Sequence, residues 1–159
     1  MENKTLEELY GVKKNEVKLT RVQSPSNRWF ETFENPNKPD ELENNIFLVP
    51  RGKYIIEIGF PEFCCECPRT GHPDFATILI QYTPNQVCVE LKALKYYLNS
   101  FRKEGHFHEQ VTNLIYKDLE AILEPCTLYV EGQFNVRGGT YPIIKVGEKV
   151  NSDLNPVMI

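Results

Sequence analysis

From Tyr54 onward the hydrophobic positions switch between two spacings. Tyr54-Ile55-Ile56-Glu57-Ile58-Gly59-Phe60 is dense in β-branched and aromatic residues and predicts a strand. Pro61 to Pro73 is punctuated by Pro61, Pro68, Gly71 and Pro73 and predicts a loop. Phe75 to Tyr82 predicts a second strand, with room to continue past Pro84 through Val87-Cys88-Val89. The period then lengthens. Leu91, Leu94, Leu98 and Phe101 recur at helical spacing inside Glu90–Lys103, and Gly105 can end that helix. Phe107–Leu123 predicts a second helix with Val111, Leu114, Ile115, Leu119 and Ile122 on one stripe, stopped by Pro125. Thr127–Phe134 and Tyr141–Val146 predict two more strands.

The order strand, strand, helix, helix, strand, strand predicts an α+β fold: an antiparallel four-stranded sheet with two helices on one face. The free edges of such a sheet invite assembly with a second copy. The first forty-odd residues are polar and broken by Pro25, Pro36 and Pro39. There Thr5–Tyr10 suits a short helical turn, Asn35–Asn45 a loop, and Trp29, Phe30 and Phe33 need a body to dock on. The expected organisation is a docking N-terminal extension over 1–45 and one catalytic domain over 46–159. Neither a repeat nor an interdomain linker interrupts it.

Bulk properties narrow the classes. A chain of 159 residues with net charge −4 can build its own core and lacks the basic surplus of a nucleic-acid binder, so no direct nucleic-acid partner is expected. No stretch approaches the roughly 20 apolar residues of a membrane span, and Met1–Thr5 has no signal-peptide core. Five cysteines, at 64, 65, 67, 88 and 126, are an odd set in a chain of this size. That speaks against a disulfide scaffold and for a reducing cytoplasm.

Chemistry concentrates in three places. In Cys64-Cys65-Glu66-Cys67-Pro68-Arg69-Thr70-Gly71-His72-Pro73-Asp74, a loop cysteine beside an arginine can present a thiolate, and the aspartate can return as a proton donor. The same stretch also reads as incidental loop cysteines, or as half of a zinc site, since no second C-x-x-C pair accompanies it. In Gly105-His106-Phe107-His108-Glu109, a carboxylate at a helix start can accept the N–H groups of a purine-like base, or simply meet the helix dipole. Lys92, Lys95 and Arg102 lie opposite the leucine stripe, and Arg137-Gly138-Gly139 joins an arginine to flexible backbone. Both suit phosphates, and both also suit a solvated face and a turn. No G-x-G-x-x-G follows a strand, so a nicotinamide cofactor would not be held by a Rossmann unit.

Taken in order, these segments resemble the single-domain NADPH-dependent 7-cyano-7-deazaguanine reductases, the nitrile reductases of queuosine tRNA modification. Cys67 to Thr77 resembles their nucleophile loop, and Glu90-Leu91-Lys92-Ala93-Leu94-Lys95-Tyr96-Tyr97 their signature helix. Phe107-His108-Glu109 resembles their substrate motif, and Arg137-Gly138-Gly139 fits a weaker fourth element. The match runs from about Trp29 to about Lys145. The resemblance implies a tunnelling fold whose subunits join sheets into a barrel, with sites between neighbours in a decamer of two pentamers. It implies that Cys67 attacks the nitrile carbon to give a thioimide, that Asp74 protonates the nitrogen, and that His108 aids proton handling. It further implies that Glu90, Leu91, His108 and Glu109 hold the base, and that Lys92, Lys95, Arg137 and Gly138 meet NADPH. No metal is implied. For Asp74 to donate, its acid form must persist near neutral pH, which asks for an apolar setting; Phe75 beside it suggests one. Cys64 and Cys65 fit no part of the pattern and stand as packing residues or as protectors of Cys67.

Three rivals differ in chemistry. An amidine-forming relative would attack the same nitrile without NADPH, and the intact lysine signature argues against it. A zinc enzyme resembling GTP cyclohydrolase I would use cysteine and histidine as ligands. A non-catalytic purine-binding module would bind the base and oxidise no NADPH.

Overall fold

In the computed structural model, residues 17–38 and 54–151 are described. The expected turn at Thr5–Tyr10 and the expected boundary at residues 45 and 46 lie outside them. Strand β4 (Pro73–Thr83) is the centre of the larger sheet. Its even positions, Asp74, Ala76, Ile78, Ile80 and Tyr82, are all buried, as strand alternation demands of one face. It pairs antiparallel with β3 (Ile56–Glu66) and β6 (Thr127–Phe134), and β6 pairs with β7 (Ile143–Gly147). The resulting order β3-β4-β6-β7 is the expected four-stranded sheet.

The loop expected over Pro61–Pro73 is shorter than the prolines suggested. Phe60 lies opposite Ile78, but Phe63 lies opposite Ala76, so β3 uses an extra residue at a bulge containing Pro61. A bulge leaves one residue out of the ladder and can absorb proline's missing N–H, so the strand resumes and runs to Glu66. The bulge also changes parity. Core-facing positions pass from Ile56, Ile58 and Phe60 to Phe63 and Cys65.

Helix α1 (Leu91–Asn99) runs into a 3-10 turn (Ser100–Lys103), and α2 (His108–Leu123) follows. Leu94, Tyr97, Leu98 and Phe101 are buried from the first pair, and Val111, Ile115, Leu119 and Ile122 from α2. Leu91 does not join the stripe; it is 54% exposed at the first helical position, and burial begins one turn later. None of the helices among the described residues is long and apolar enough to cross a membrane.

A second sheet was not expected. β1 (Leu19–Gln23), β2 (Trp29–Glu34) and β5 (Val87–Val89) form an antiparallel β1-β2-β5 sheet, so Val87–Val89 does not prolong β4. The inward positions of β2 hold Phe30 and Thr32, whereas Trp29 points outward and is 52% exposed. Apolar residues on both faces erase the period-2 signal. The hairpin turn places Asn27 in the left-handed region, a conformation asparagine tolerates. It then docks on α2: the Ser26 N–H donates to Asp118 Oδ1 at 3.1 Å, and the Ser26 hydroxyl to Oδ2. Tyr97 donates to the same Oδ2 at 2.8 Å, with its ring 4.2 Å from Phe30.

Candidate active site

Asp74 is the last core-facing position at the open end of β4, so strand alternation turns it toward the helices. Its side chain is 7% exposed and flanked by two cationic-type groups. Arg137 Nε lies 2.7 Å from Oδ1, and His108 Nε2 lies 3.4 Å from Oδ2. The Arg137 guanidinium also donates to the Pro73 carbonyl. The apolar setting expected from Phe75 is absent. Phe75 follows Asp74 on the opposite face and is 52% exposed, and a guanidinium shares the buried site instead.

His108 opens α2, and its ring stacks on Phe134 at 4.0 Å and 18°. That shelf requires Gly132. A Cβ there would stand 2.9 Å from the Phe134 ring and 2.7 Å from Thr112 Oγ1, so glycine lets the helix and the ring approach together. Thr112 in turn donates to the His108 carbonyl at 2.8 Å.

Cys67 begins the loop between β3 and β4. Its N–H donates to the His72 carbonyl at 2.7 Å, and its own carbonyl accepts from Gly71 at 2.8 Å. Gly71 has φ +71, which L side chains rarely adopt, and it closes the loop tightly. The sulfur receives the Thr70 hydroxyl and the N–H groups of Arg69 and Thr70, which lower the thiol pKa. Partial burial and the nearby Asp74 charge oppose that shift without cancelling it. Donors aimed at a sulfur favour its charged form, and the thiolate is the nucleophile. The neighbouring thiols go the other way. Burial raises Cys64, and burial together with Asp74 pushes Cys65 up to about 12.

The structure therefore gathers Cys67, Asp74, His108 and Arg137 at one end of the sheet. Of the other candidates, Glu109 and Gly138 are chain neighbours of His108 and Arg137, and Glu90, Lys92 and Lys95 belong to α1. Glu90 caps α1, its carboxylate accepting the Lys92 N–H at 3.0 Å and the Ala93 N–H at 2.8 Å. Lys92 and Lys95 are exposed on α1, and Lys92 lines a recess of about 300 Å³ with Arg21, Trp29 and Tyr96. Glu109 is exposed one residue beyond His108. Gly138, with φ +56, has open space around it. Among the described residues, no group of three or more His, Cys, Asp or Glu side chains is arranged to hold a metal ion. Thr70 and the Phe134 shelf escaped sequence reasoning. A hydroxyl three residues after a loop cysteine is a detectable signal for the first; the second depends on tertiary pairing alone.

This fold and cluster place the chain in a class: residues 73–152 match the family model described as QueF-like protein, and the chain belongs to that family. Its relatives are more specific still. A protein of Nitrosococcus oceani named NADPH-dependent 7-cyano-7-deazaguanine reductase is 47% identical over 123 residues, 77% of this chain and 86% of that protein. Proteins of the same name are 53% identical in Thermomicrobium roseum, over 69% of this chain and 86% of the relative, and 44% identical in Thioalkalivibrio sulfidiphilus, over 85% and 95%. The crystal structure of the archaeosine synthase QueF-Like in the apo form aligns with TM-score 0.55 at 15% identity. It covers 58% of this chain and 91% of that one, and supports the fold alone.

Proposed function

We propose that this chain reduces the nitrile of 7-cyano-7-deazaguanine to the primary amine at the expense of NADPH, with Cys67 as nucleophile. The observation that carries the mechanism is the contrast among three adjacent thiols. Only the Cys67 sulfur is served by donors, and its loop ends on a buried carboxyl held against an imidazole.

The thiolate of Cys67 attacks the nitrile carbon; a C–S bond forms and a C–N π pair moves onto nitrogen. Once the Arg137 guanidinium leaves it, the buried Asp74 carboxyl takes up its acid form and supplies the proton that nitrogen takes, giving the thioimide. His108, 3.4 Å from Asp74 and fixed on Phe134, reprotonates the carboxylate. NADPH, when bound, would supply two hydrides to the carbon; after the first, reprotonated Asp74 would give the nitrogen its second proton, and after the sulfur leaves the second hydride would complete the amine. Between the two hydrides the C–S bond breaks, and its electron pair returns to the Cys67 sulfur, where Thr70 and the loop N–H groups receive the charge. Glu109 and Glu90 are the readers of the base's N–H edge. Glu90 does so by giving up its cap.

For NADPH, the exposed Lys92 and Lys95 have the charge to meet phosphates, and Trp29 and Tyr96 beside Lys92 offer aromatic faces. Arg137 and Gly138 complete the set once the guanidinium leaves Asp74. The active unit is a homo-oligomer, with decameric double pentamers the expected form. Both ends of the four-stranded sheet, β3 and β7, have an unpaired side among the described residues, and Leu91 and Tyr96 expose apolar surface beside the lysines. Residues on α1 then serve the Cys67 cluster of a neighbour.

The test is loss of NADPH absorbance with the cyano substrate, expected at two NADPH per amine formed. Covalent adduct without any NADPH loss would point to the amidine-forming chemistry. Binding with neither would leave a purine-binding module. Lys92→Ala is expected to raise the KM for NADPH about 2- to 10-fold, the scale of one ordinary hydrogen bond at an exposed site, with little change in adduct formation.

A further inference from the structure

The Cys67 loop is not held by its own strands alone. Glu104-Gly105-His106, between the 3-10 turn and α2, lies alongside it as a strap. The Glu66 N–H donates to the Glu104 carbonyl at 2.9 Å, and the His106 N–H donates to the Glu66 carbonyl at 3.0 Å. On the other side of Cys67, Gly105 rests on Pro68 so closely that a Cβ would stand 3.1 Å from the Pro68 Cα. The strap thus touches the residues before and after the thiol, and it leads within two residues into His108.

The strap is itself pinned from the N-terminal hairpin. Arg28, just past the β1–β2 turn, donates through its guanidinium to Glu104 Oε2. The same guanidinium donates to Ser100 Oγ at 3.0 Å and to Ser26 Oγ at 2.9 Å, and lies 4.1 Å above the Phe101 ring. Glu104 Oε2 also meets His106 Nε2 at 2.8 Å. One carboxylate oxygen therefore ties the first residue of the strap both to its last residue and to a different sheet. The Arg28 side chain is 16% exposed and that of Glu104 41%, so the pin is shielded from its arginine side and open to solvent on its carboxylate side.

We propose that Arg28 and Glu104 are positioning residues for the reaction: through the Glu104–His106 strap they set where the Cys67 loop stands relative to His108. The proposal rests on the reading of Cys67 as nucleophile. Its consequence is specific: loosening the pin moves the thiol among its donors while leaving Glu90, held by its own helix, untouched. A displacement of about 1 Å at a reacting group costs on the order of 10²-fold in rate.

Arg28→Ala, Glu104→Gln and Arg28→Lys are compared with Phe30→Leu, which loosens the same hairpin through its core contact with Tyr97 and leaves the pin intact. Cys67 alkylation by iodoacetamide is followed by peptide mass spectrometry across pH, and thioimide formation by intact mass. In Arg28→Ala and Glu104→Gln, adduct formation is expected to slow roughly 10- to 100-fold and the alkylation profile to move, with substrate affinity changed far less. Arg28→Lys, which keeps the charge on Glu104, restores part of the rate. Phe30→Leu lowers the melting temperature without moving the profile. If Arg28→Ala or Glu104→Gln fails to fold, Gly105→Ala, which presses the strap against Pro68, is read in the same way. Unchanged alkylation and adduct rates in folded Arg28→Ala, or equal changes in Phe30→Leu, overturn the proposal. Because alkylation needs no substrate, that failure is separate from a failure of the nitrile reading, which would appear as normal alkylation with no adduct in the unmodified enzyme.

Discussion

Cys64 and Cys65 sit on the end of a strand; Cys67 sits just past it, and the difference reverses their chemistry. On the strand, backbone N–H groups are spent on the ladder, and the side chains are buried against Phe75 and Asp74 across the pair. Those thiols have little to gain from ionising. Beyond the strand the backbone folds into a turn whose free N–H groups and Thr70 hydroxyl converge on one sulfur. Reactivity here follows from where the ladder stops rather than from proximity to other cysteines or to Arg69 alone.

The sharpest way to break the comparison is to remove the thiol. Cys67→Ser should reduce adduct formation by roughly 10³-fold or more, while Cys64→Ala and Cys65→Ala should keep it, as intact mass after incubation with substrate would reveal. An adduct mapped to Cys64 or Cys65 would reverse the assignment. Next in size is Asp74→Asn, which keeps shape and a hydrogen-bond donor but cannot deliver the proton. Adduct and amine should form about 10²–10⁴-fold more slowly at near-normal substrate affinity. Near-normal turnover would move the donor role to His108.

A smaller change makes Cys67 resemble its neighbours. Thr70→Val removes the hydroxyl donor to the sulfur, so the lowered thiol pKa should climb back. The sign follows: thiolate reactivity is present above the folded-state pKa and is lost as pH falls through it, so in Thr70→Val that loss begins at higher pH. Alkylation across pH measures it, and an unmoved profile would show that the loop N–H groups suffice. The smallest effect is expected at Cys65→Ala, which should cost about 1 kcal/mol of stability in denaturant unfolding and leave the alkylation profile of Cys67 unchanged.

Much of this was readable in the chain. The long helices declared themselves through Leu94, Leu98, Val111, Ile115 and Leu119, and the four strands of the larger sheet through their β-branched runs. The β1–β2 hairpin was hidden because Trp29 and Phe33 point outward while Thr32 points in. Prolines at 61 and 68 read as loop, yet one sits in a bulge. At the site, the sequence placed Cys67, Asp74 and His108 on neighbouring segments. It carried no sign that Arg137 would close on Asp74, since that ion pair joins residues far apart in the chain. Nor did it reveal that Glu90 would spend its carboxylate on its own helix.

The bulge at Pro61 makes the address of the reactive loop a matter of counting. Because β3 uses an extra residue between Phe60 and Phe63, Cys65 shares a face with Asp74, and the chain leaves the sheet at Cys67 on that same parity. Substitutions that keep both the backbone count and the ladder's N–H groups leave this intact. Loss of one residue at the bulge, such as Glu62, would merely close it and keep Phe63 opposite Ala76, but a deletion beyond Phe63 would turn every later side chain of β3 to the opposite face. Past the bulge the segment is thus tolerant in letter and intolerant in length.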